Sequence, residues 1–437
     1  MTALVGAHPR LGALREAAHP VRSGRVTGVS AMSLEIAGIA AGLGDEVLVE
    51  GAGGTLSGEV VAMRRDTVVC MPFGDLRGVR IGDRARHSGR PPSVSVGWDL
   101  RGRVLDGLGR PLDGRPLPAS ATRVTVEGDA PHPLRRARVS RPLPLGVKVL
   151  DTLVPCGRGQ RIGIMAGSGV GKSSLLSMIA RGTEAEISVL ALVGERGREV
   201  REFIEHDLGP EGLARSVVVV ATSDEPAMVR LRAAYTATRI AEWFRDEGCD
   251  VVLMMDSVTR FCMAQREIGL AAGEPPATRG YPPSVFGLLP RLLERAGAAE
   301  HGSITGLYTV LVEGDDLNDP VGDAVRSILD GHVVLSRRLA TAGHFPTVDV
   351  LESVSRVAPA ITTPEQRRAA TELRRLLAAH RDAKDLVEIG AYVTGTNPLV
   401  DRAVERADEI RAFLTQDLGE TVPVVEAWSA LAQVVAP

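Results

Sequence analysis

Between Arg161 and Leu176 the chain reads Arg-Ile-Gly-Ile-Met-Ala-Gly-Ser-Gly-Val-Gly-Lys-Ser-Ser-Leu-Leu. An apolar strand runs through a glycine-rich loop into a helix, and that order restricts the fold severely. A strand edge and a helix N-terminus must meet at one point. Gly167, Gly169 and Gly171 let the backbone wrap closely round an anion, so that N–H groups and the positive helix end meet phosphate oxygens. Residues Ala166, Gly167, Ser168, Gly169, Val170, Gly171, Lys172, Ser173 and Ser174 form the expected nucleotide-binding loop. Lys172 is placed to reach the β- and γ-phosphates, and the Ser173 hydroxyl to hold Mg²⁺. The strict pattern wants glycine where this chain has Ala166, so the signature is a near match carried by its strand-to-helix setting. Lysine usage supports the reading. Among 51 Lys plus Arg, only Lys148, Lys172 and Lys384 are lysines, and a compact ammonium suits a phosphate cradle better than a planar fork.

At 437 residues the chain exceeds the size of a single core, so two or three domains are expected. Net charge −3 argues against a nucleic-acid protein overall, although 21 basic and 14 acidic residues fall in 1–150 and leave the negative balance to the remainder. Cys70, Cys156, Cys249 and Cys262 are scattered without a Cys-x-x-Cys pair or zinc-like His spacing, so buried free thiols of a reducing cytosol are expected. The sequence offers no cleavable leader and no apolar run long enough to cross a membrane. A cytoplasmic protein with, at most, peripheral membrane contact is the resulting expectation.

Residues 1–20 hold Leu4, Leu11, Leu14 and Ala18 at roughly helical spacing, interrupted by Gly6, Pro9 and Gly12, which allows either a docking helix or a frayed tail. In 21–95, short β-type runs such as Glu46–Glu50, Glu59–Met63 and Thr67–Met71 alternate with Gly-rich turns, the pattern of a small all-β barrel or sandwich. A stretch with nine prolines between 90 and 150 reads as a connection. After Arg161 near-continuous apolar runs, Ile162–Met165, Ile187–Val193, Val217–Ala221, Val251–Met255, Leu307–Val312 and Val333–Leu335, are separated by helix-length segments. Such runs predict an α/β nucleotide-binding domain over 96–360 with a largely parallel sheet. Amphipathic spacing in Arg367–His380 and Leu399–Leu418 predicts a helical domain over 361–437.

Two strand ends carry acids. Asp256 follows Val251–Met255 where a buried parallel strand surfaces, making it a candidate for orienting Mg²⁺ or its water shell. Glu195 follows Ile187–Val193 and is placed to position and polarise an attacking water, with Arg196 as a candidate holder of the γ-phosphate. Beyond them, Arg198 and Glu202 read as a surface i,i+4 pair.

The segments 157–203, 239–295 and 314–356 resemble the hexameric rotary-type ATPases, most closely the flagellum-specific export ATPases and their virulence-secretion relatives. The motifs that carry the resemblance are Gly157–Arg161, Ala166–Ser173, Gly194–Val200, Met263–Ile268, Gly273–Ser284 and Glu313–Asp316. The resemblance spans roughly 20–437, weakest in the first hundred residues. It implies a RecA-like, P-loop core with an N-terminal β-barrel and a C-terminal helical domain, and an ATP- and Mg²⁺-dependent hydrolase working as a homohexamer. It further implies that Ser353–Val357 delivers Arg356 into a neighbouring subunit's site, and that Phe345 stacks on adenine where a tyrosine is usual. The loop Glu313–Pro320 is similar to one that faces the central channel and a stalk protein.

Because one chain holds Lys172, Glu195, Asp256 and Arg356, identical copies can supply every part of a shared site. Gly390–Asp401 resembles the export class and argues against a synthase. The implied function is ATP hydrolysis that energises protein export at the flagellar base, by releasing chaperones and by loading or unfolding substrates. Implied partners are a stator or regulator, a central stalk protein, chaperones, exported substrates and an export gate at the membrane. An injectisome role remains open. An RNA-translocating ring ATPase is disfavoured because residues 1–150 hold only Phe73 and Trp98 as aromatics, too few for stacking platforms.

Overall fold

A computed structural model describes residues 23–312 and 319–436. The segment 1–20 and most of the loop Glu313–Pro320 lie outside the described residues. Residues 23–93 with 271–273 form one compact unit, and a larger unit contains Val94–Leu270 and the described residues from Glu274 on.

The first unit is a closed antiparallel barrel of six strands, β1 Ser23–Val29, β2 Leu34–Ala37, β3 Glu46–Gly51, β4 Gly54–Met63, β5 Thr67–Pro72 and β6 Arg84–His87, in the order β1-β2-β5-β4-β3-β6. Alternation sets it up. Val26, Ile36, Val47, Val49, Val68 and Cys70 turn inward and are at most 5% exposed; on β1, β2 and β3 their neighbours are more open, as a half-buried strand requires, whereas β5 is buried on both faces. Closure pairs β6 with both β1 and β3, which leaves no free edge.

In the larger unit, β7 Ser93–Val96 pairs with β9 Thr122–Thr125. The main sheet contains β8 Arg103–Asp106, β10 Arg161–Ala166, β11 Ile187–Glu195, β12 Ser216–Thr222, β13 Asp250–Asp256, β14 Gly297–Ala298, β15 Ser303–Leu311, β16 Gly331–Leu335 and β17 Val348–Ser355. Its order is β17-β16-β10-β15-β13-β11-β12-β8, with β14 appended to β15. Only the β16–β17 and β14–β15 pairings are antiparallel. The six apolar runs of the sequence are all strands of this sheet, and β11 and β13 are buried along nearly their whole length because helices cover both faces.

The two edge strands of the sheet, β8 and β17, have no counterpart among the six apolar runs. β8 lies in the proline-rich connection and has only Val104 and Leu105 between two charged ends, yet its Arg103 is only 5% exposed. Asp113 holds it there through a bidentate pair at 2.6 and 3.0 Å. An edge strand needs one hydrogen-bonded neighbour, and this one is fixed by a charge pair rather than by a hydrophobic run.

The C-terminal segment begins with the 25-residue helix Pro364–Glu388, capped reciprocally by Thr363 and Gln366, a strong start signal. The expected helix Leu399–Leu418 breaks at Arg406 into Pro398–Glu405 and Ala407–Leu414, where the Arg406 guanidinium donates to the Val434 carbonyl at 3.0 Å. A further helix, Val424–Val434, follows. Leu373, Leu376, Ile410, Phe413 and Leu431 belong to one continuous core with Leu150, Leu153, Val348 and Val350, so these helices and the sheet bury a common interior. Among the described residues no helix is long and apolar enough to cross a membrane.

A shared interior has a measurable consequence. Phe413→Ala should cost about 3–5 kcal/mol, and Trp428 fluorescence and far-UV circular dichroism should move together to the same lower melting temperature. Early, separate loss of the fluorescence signal would show that the C-terminal helices unfold on their own.

Candidate active site

The sheet order brings the site together. The glycine loop leaves the carboxyl end of β10, Asp256 ends β13 and Glu195 ends β11, and β15 lies between β10 and β13. Gly169 and Gly171 adopt φ of 73° and 90°, in the left-handed region where a side chain is strained. The helix Lys172–Gly182 starts directly after them, and Ser173 is exposed in its first turn.

Lys172 points across the strand ends. Its Nζ lies 2.5 Å from Asp256 Oδ1 and 3.2 Å from Glu195 Oε1. Asp256 is 3% exposed and also accepts a hydrogen bond from the buried Thr309 hydroxyl on β15 at 2.8 Å. Burial works against the Lys172 ammonium, but the facing Asp256 and Glu195 carboxylates outweigh it and raise its pKa. Burial, reinforced by the Asp256 charge, raises the Glu195 pKa from its ordinary value of 4.5, with Lys172 opposing. One cation thus stands between two acids of unequal burial.

The loop is fixed from below and beside. Thr347 donates to the Val170 carbonyl at 2.6 Å, and Arg337 to the Ser168 carbonyl at 3.1 Å. Phe345 covers the loop so closely that a Cβ on Gly171 would come within 3.4 Å of its ring. The half-exposed ring forms one wall of a cavity of about 540 Å³, with Ser174, Lys148, Gln416, Leu418 and Glu420 on the other walls. Gln416 clamps that wall. Its amide donates to the Gly146 and Glu420 carbonyls at 2.8 and 2.9 Å, and its Oε1 accepts from the Lys148 N–H at 2.8 Å.

Arg196 and Arg198 make other contacts than expected, and Arg356 stands away from the loop of its own chain. Arg196 Nη1 is 3.2 Å from Glu199, with its side chain 69% exposed, so it faces solvent rather than Lys172. Arg198 pairs with Glu199 at 3.8 Å in place of the expected Glu202. Arg356 follows β17, which runs against β16 so that Ser355 pairs with Gly331 while Leu335 pairs with Ala166 at the loop end. Arg356 therefore stands a strand length away from its own loop, about 13 Å at the usual rise per residue, at the opposite edge of the sheet. Its N–H donates to the Asp330 carbonyl at 3.0 Å and its guanidinium to that of Arg326 at 3.3 Å.

Sequence reasoning passed over several contributors. Thr309, Thr347 and Gln416 are ordinary polar residues that long-range packing brings to the loop, and no local pattern marks them. Arg260 packs against Gly194, where an added Cβ would lie 3.0 Å from its own Cβ, next to Glu195. Lys148 carried one signal, the scarcity of lysine. Among the described residues no group of three or more His, Cys, Asp or Glu converges on a metal position. A Mg²⁺ held chiefly by phosphate oxygens, water, one hydroxyl and one carboxylate needs no such group, and the Ser173 and Asp256 positions fit that donor set.

Comparison with known proteins agrees with this geometry. Three family models match: the ATP synthase alpha/beta family beta-barrel domain over 23–89, the nucleotide-binding domain of the same family over 146–355, and the T3SS EscN ATPase C-terminal domain over 362–433. The flagellum-specific ATP synthase of Bacillus subtilis is 51% identical over 413 residues, 94% of each chain. The type 3 secretion system ATPase of Xanthomonas euvesicatoria is 52% identical over 397 residues, 90% of each chain. The assembled ATPase EscN of enteropathogenic E. coli, solved in complex with its central stalk EscO, superposes with a TM-score of 0.88 at 43% identity, covering 94% of this chain and all of that one. With its barrel, its phosphate loop on the same sheet edge as two acidic strand ends and its C-terminal helices, this chain belongs to the ATP synthase alpha/beta family, as an ATPase of the flagellar and type III secretion branch.

Proposed function

We propose that this chain hydrolyses ATP to ADP and phosphate in a homohexamer and so energises type III protein export, with the flagellar export apparatus as its setting. The observation that carries the catalytic reading is the convergence of Lys172, Asp256 and Glu195 on the mouth of the glycine loop.

Each residue has a distinct task. Lys172 is bound by two carboxylates whose combined charge exceeds its own. An incoming triphosphate takes the ammonium over from them, while the loop N–H groups and the helix start hold the β-phosphate side. Ser173 and, directly or through water, Asp256 would hold Mg²⁺, which would supply positive charge against the phosphates. Glu195, freed from Lys172, accepts a hydrogen bond from the attacking water and orients it toward phosphorus. Phe345 offers its face to the base in the adjoining cavity. Arg196 swings from solvent toward the γ-phosphate.

The position of Arg356 supports a shared site. It stands at the far edge of its own sheet, so a second copy receives it, and the EscN assembly is a precedent for such association. The stalk seen with EscN supports a stalk protein as a partner here, alongside a stator, chaperones, substrates and a membrane export gate. The working place is the cytoplasmic face of the inner membrane. A virulence-type secretion role is the second reading, favoured by the 52% identity to the Xanthomonas ATPase.

Glu195→Gln should slow hydrolysis by about 10²–10⁴-fold and leave nucleotide affinity within a few-fold. Loss of both, read by calorimetry and phosphate release, would make Glu195 structural. Since burial and Asp256 raise the Glu195 pKa, the ionised, working form is present at high pH and is lost as pH falls through that raised value. The acid limb of kcat/KM should therefore lie above pH 4.5, and it should disappear in the Gln variant. Arg356→Ala should cut turnover by about 10³–10⁵-fold, roughly 4–7 kcal/mol, without preventing binding. Mixing it with Lys172→Ala should restore part of the activity, because some interfaces then hold both intact groups; an inert mixture counts against a shared site. Deleting the gene should abolish flagellar filaments while any toxin secretion persists, and the reverse result would favour the second reading.

A further inference from the structure

A second concave site lies behind the loop that carries Phe345. It has a volume of about 520 Å³ and is lined by the helix Arg337–Thr341, β17 and the helices Pro364–Glu388, Pro398–Glu405 and Ala407–Leu414. That size is within the usual range for small-ligand pockets. Its floor is apolar, formed by Val350, Leu377, Ala407 and Ile410. Four cations, Arg338, Arg381, Lys384 and Arg411, stand round it.

The rim charge is not used up by its surroundings. Arg381 meets Glu352 at 3.1 Å, Lys384 meets Glu388 at 3.4 Å and Arg411 meets Asp408 at 3.9 Å, all pairs open to solvent. Such pairs contribute little and exchange readily. Asp349, the sole carboxylate among the described lining residues, is already engaged by the Leu351 and Glu352 N–H groups at 3.1 and 3.3 Å. The charge left facing the cavity is positive over an apolar floor.

We propose that this cavity binds an amphiphilic anion, a small ligand with an apolar body and a carboxylate head, the body lying on Leu377 and Ile410 and the head among Arg381, Lys384 and Arg411. A volume of about 520 Å³ suits a small ligand better than a helix. Gly343 and Thr415 line both this cavity and the one walled by Phe345, so an occupant bears on the wall of the base cavity. Ligand and nucleotide are therefore coupled, by the same factor in each direction.

Calorimetry of the full chain with decanoate, below its micellar concentration, tests the site directly. The expected result is one saturable decanoate per chain, with decyltrimethylammonium and acetate each binding about tenfold more weakly or worse. Arg381→Glu with Arg411→Glu, both on the exposed rim, should weaken decanoate about tenfold, and Ala407→Phe should block it. Bound decanoate should shift ADP affinity about threefold or more. Equal binding of the cationic analogue, or indifference to the rim and floor variants, would overturn the site. Tighter binding there of an acidic amphipathic helical peptide would overturn the small-ligand assignment, and an unchanged ADP affinity the coupling. Decanoate binding is read without turnover, so its failure is distinguishable from failure of the catalytic reading.

Discussion

Everything at the centre of this molecule depends on one ammonium held between two carboxylates at the carboxyl edge of a buried parallel sheet. Lys172 has to be the first residue of a helix, directly after a loop whose glycines take left-handed φ. Asp256 and Glu195 have to end strands that are apolar on both faces. A parallel sheet with helices on both sides satisfies these demands together, because all its strands surface at one edge. The cluster also explains why burial is tolerable here. A buried charge with no partner costs far more than a hydrogen bond, whereas Lys172 has two counter-charges and Asp256 has Lys172 and Thr309.

The C-terminal helices take part in this site through packing. They bury Phe413 and Leu373 in the interior that supports β17, and they carry Gln416 to the turn at Gly146 and Lys148. The cavity beside Phe345 thus has one wall from the sheet and another from the helices. Movement of the helical layer against the sheet would change that cavity first.

The parts legible in the sequence were those governed by short-range rules. The loop, the six long apolar strands and the two acids at strand ends follow from periodicity and from where parallel strands surface. Phe345 and Arg356 entered through family resemblance, since neither has a local signature. The Phe345 ring against Gly171 and the position of Arg356 at the far sheet edge are products of tertiary packing. Side-chain direction was also beyond sequence: Arg196 sits at the end of the right strand yet turns to Glu199. β8 escaped because a buried ion pair, not an apolar run, holds it, and the helix break at Arg406 because the backbone turns there to meet the last helix.

In the proposed hexamer each chain holds an incomplete site, finished by Arg356 of another copy. Measuring specific hydrolysis and nucleotide affinity across a dilution series, with the assembly state followed in parallel, tests it most directly. Turnover per chain should fall steeply as copies separate while nucleotide affinity changes little. Constant turnover per chain down to the isolated monomer would contradict it.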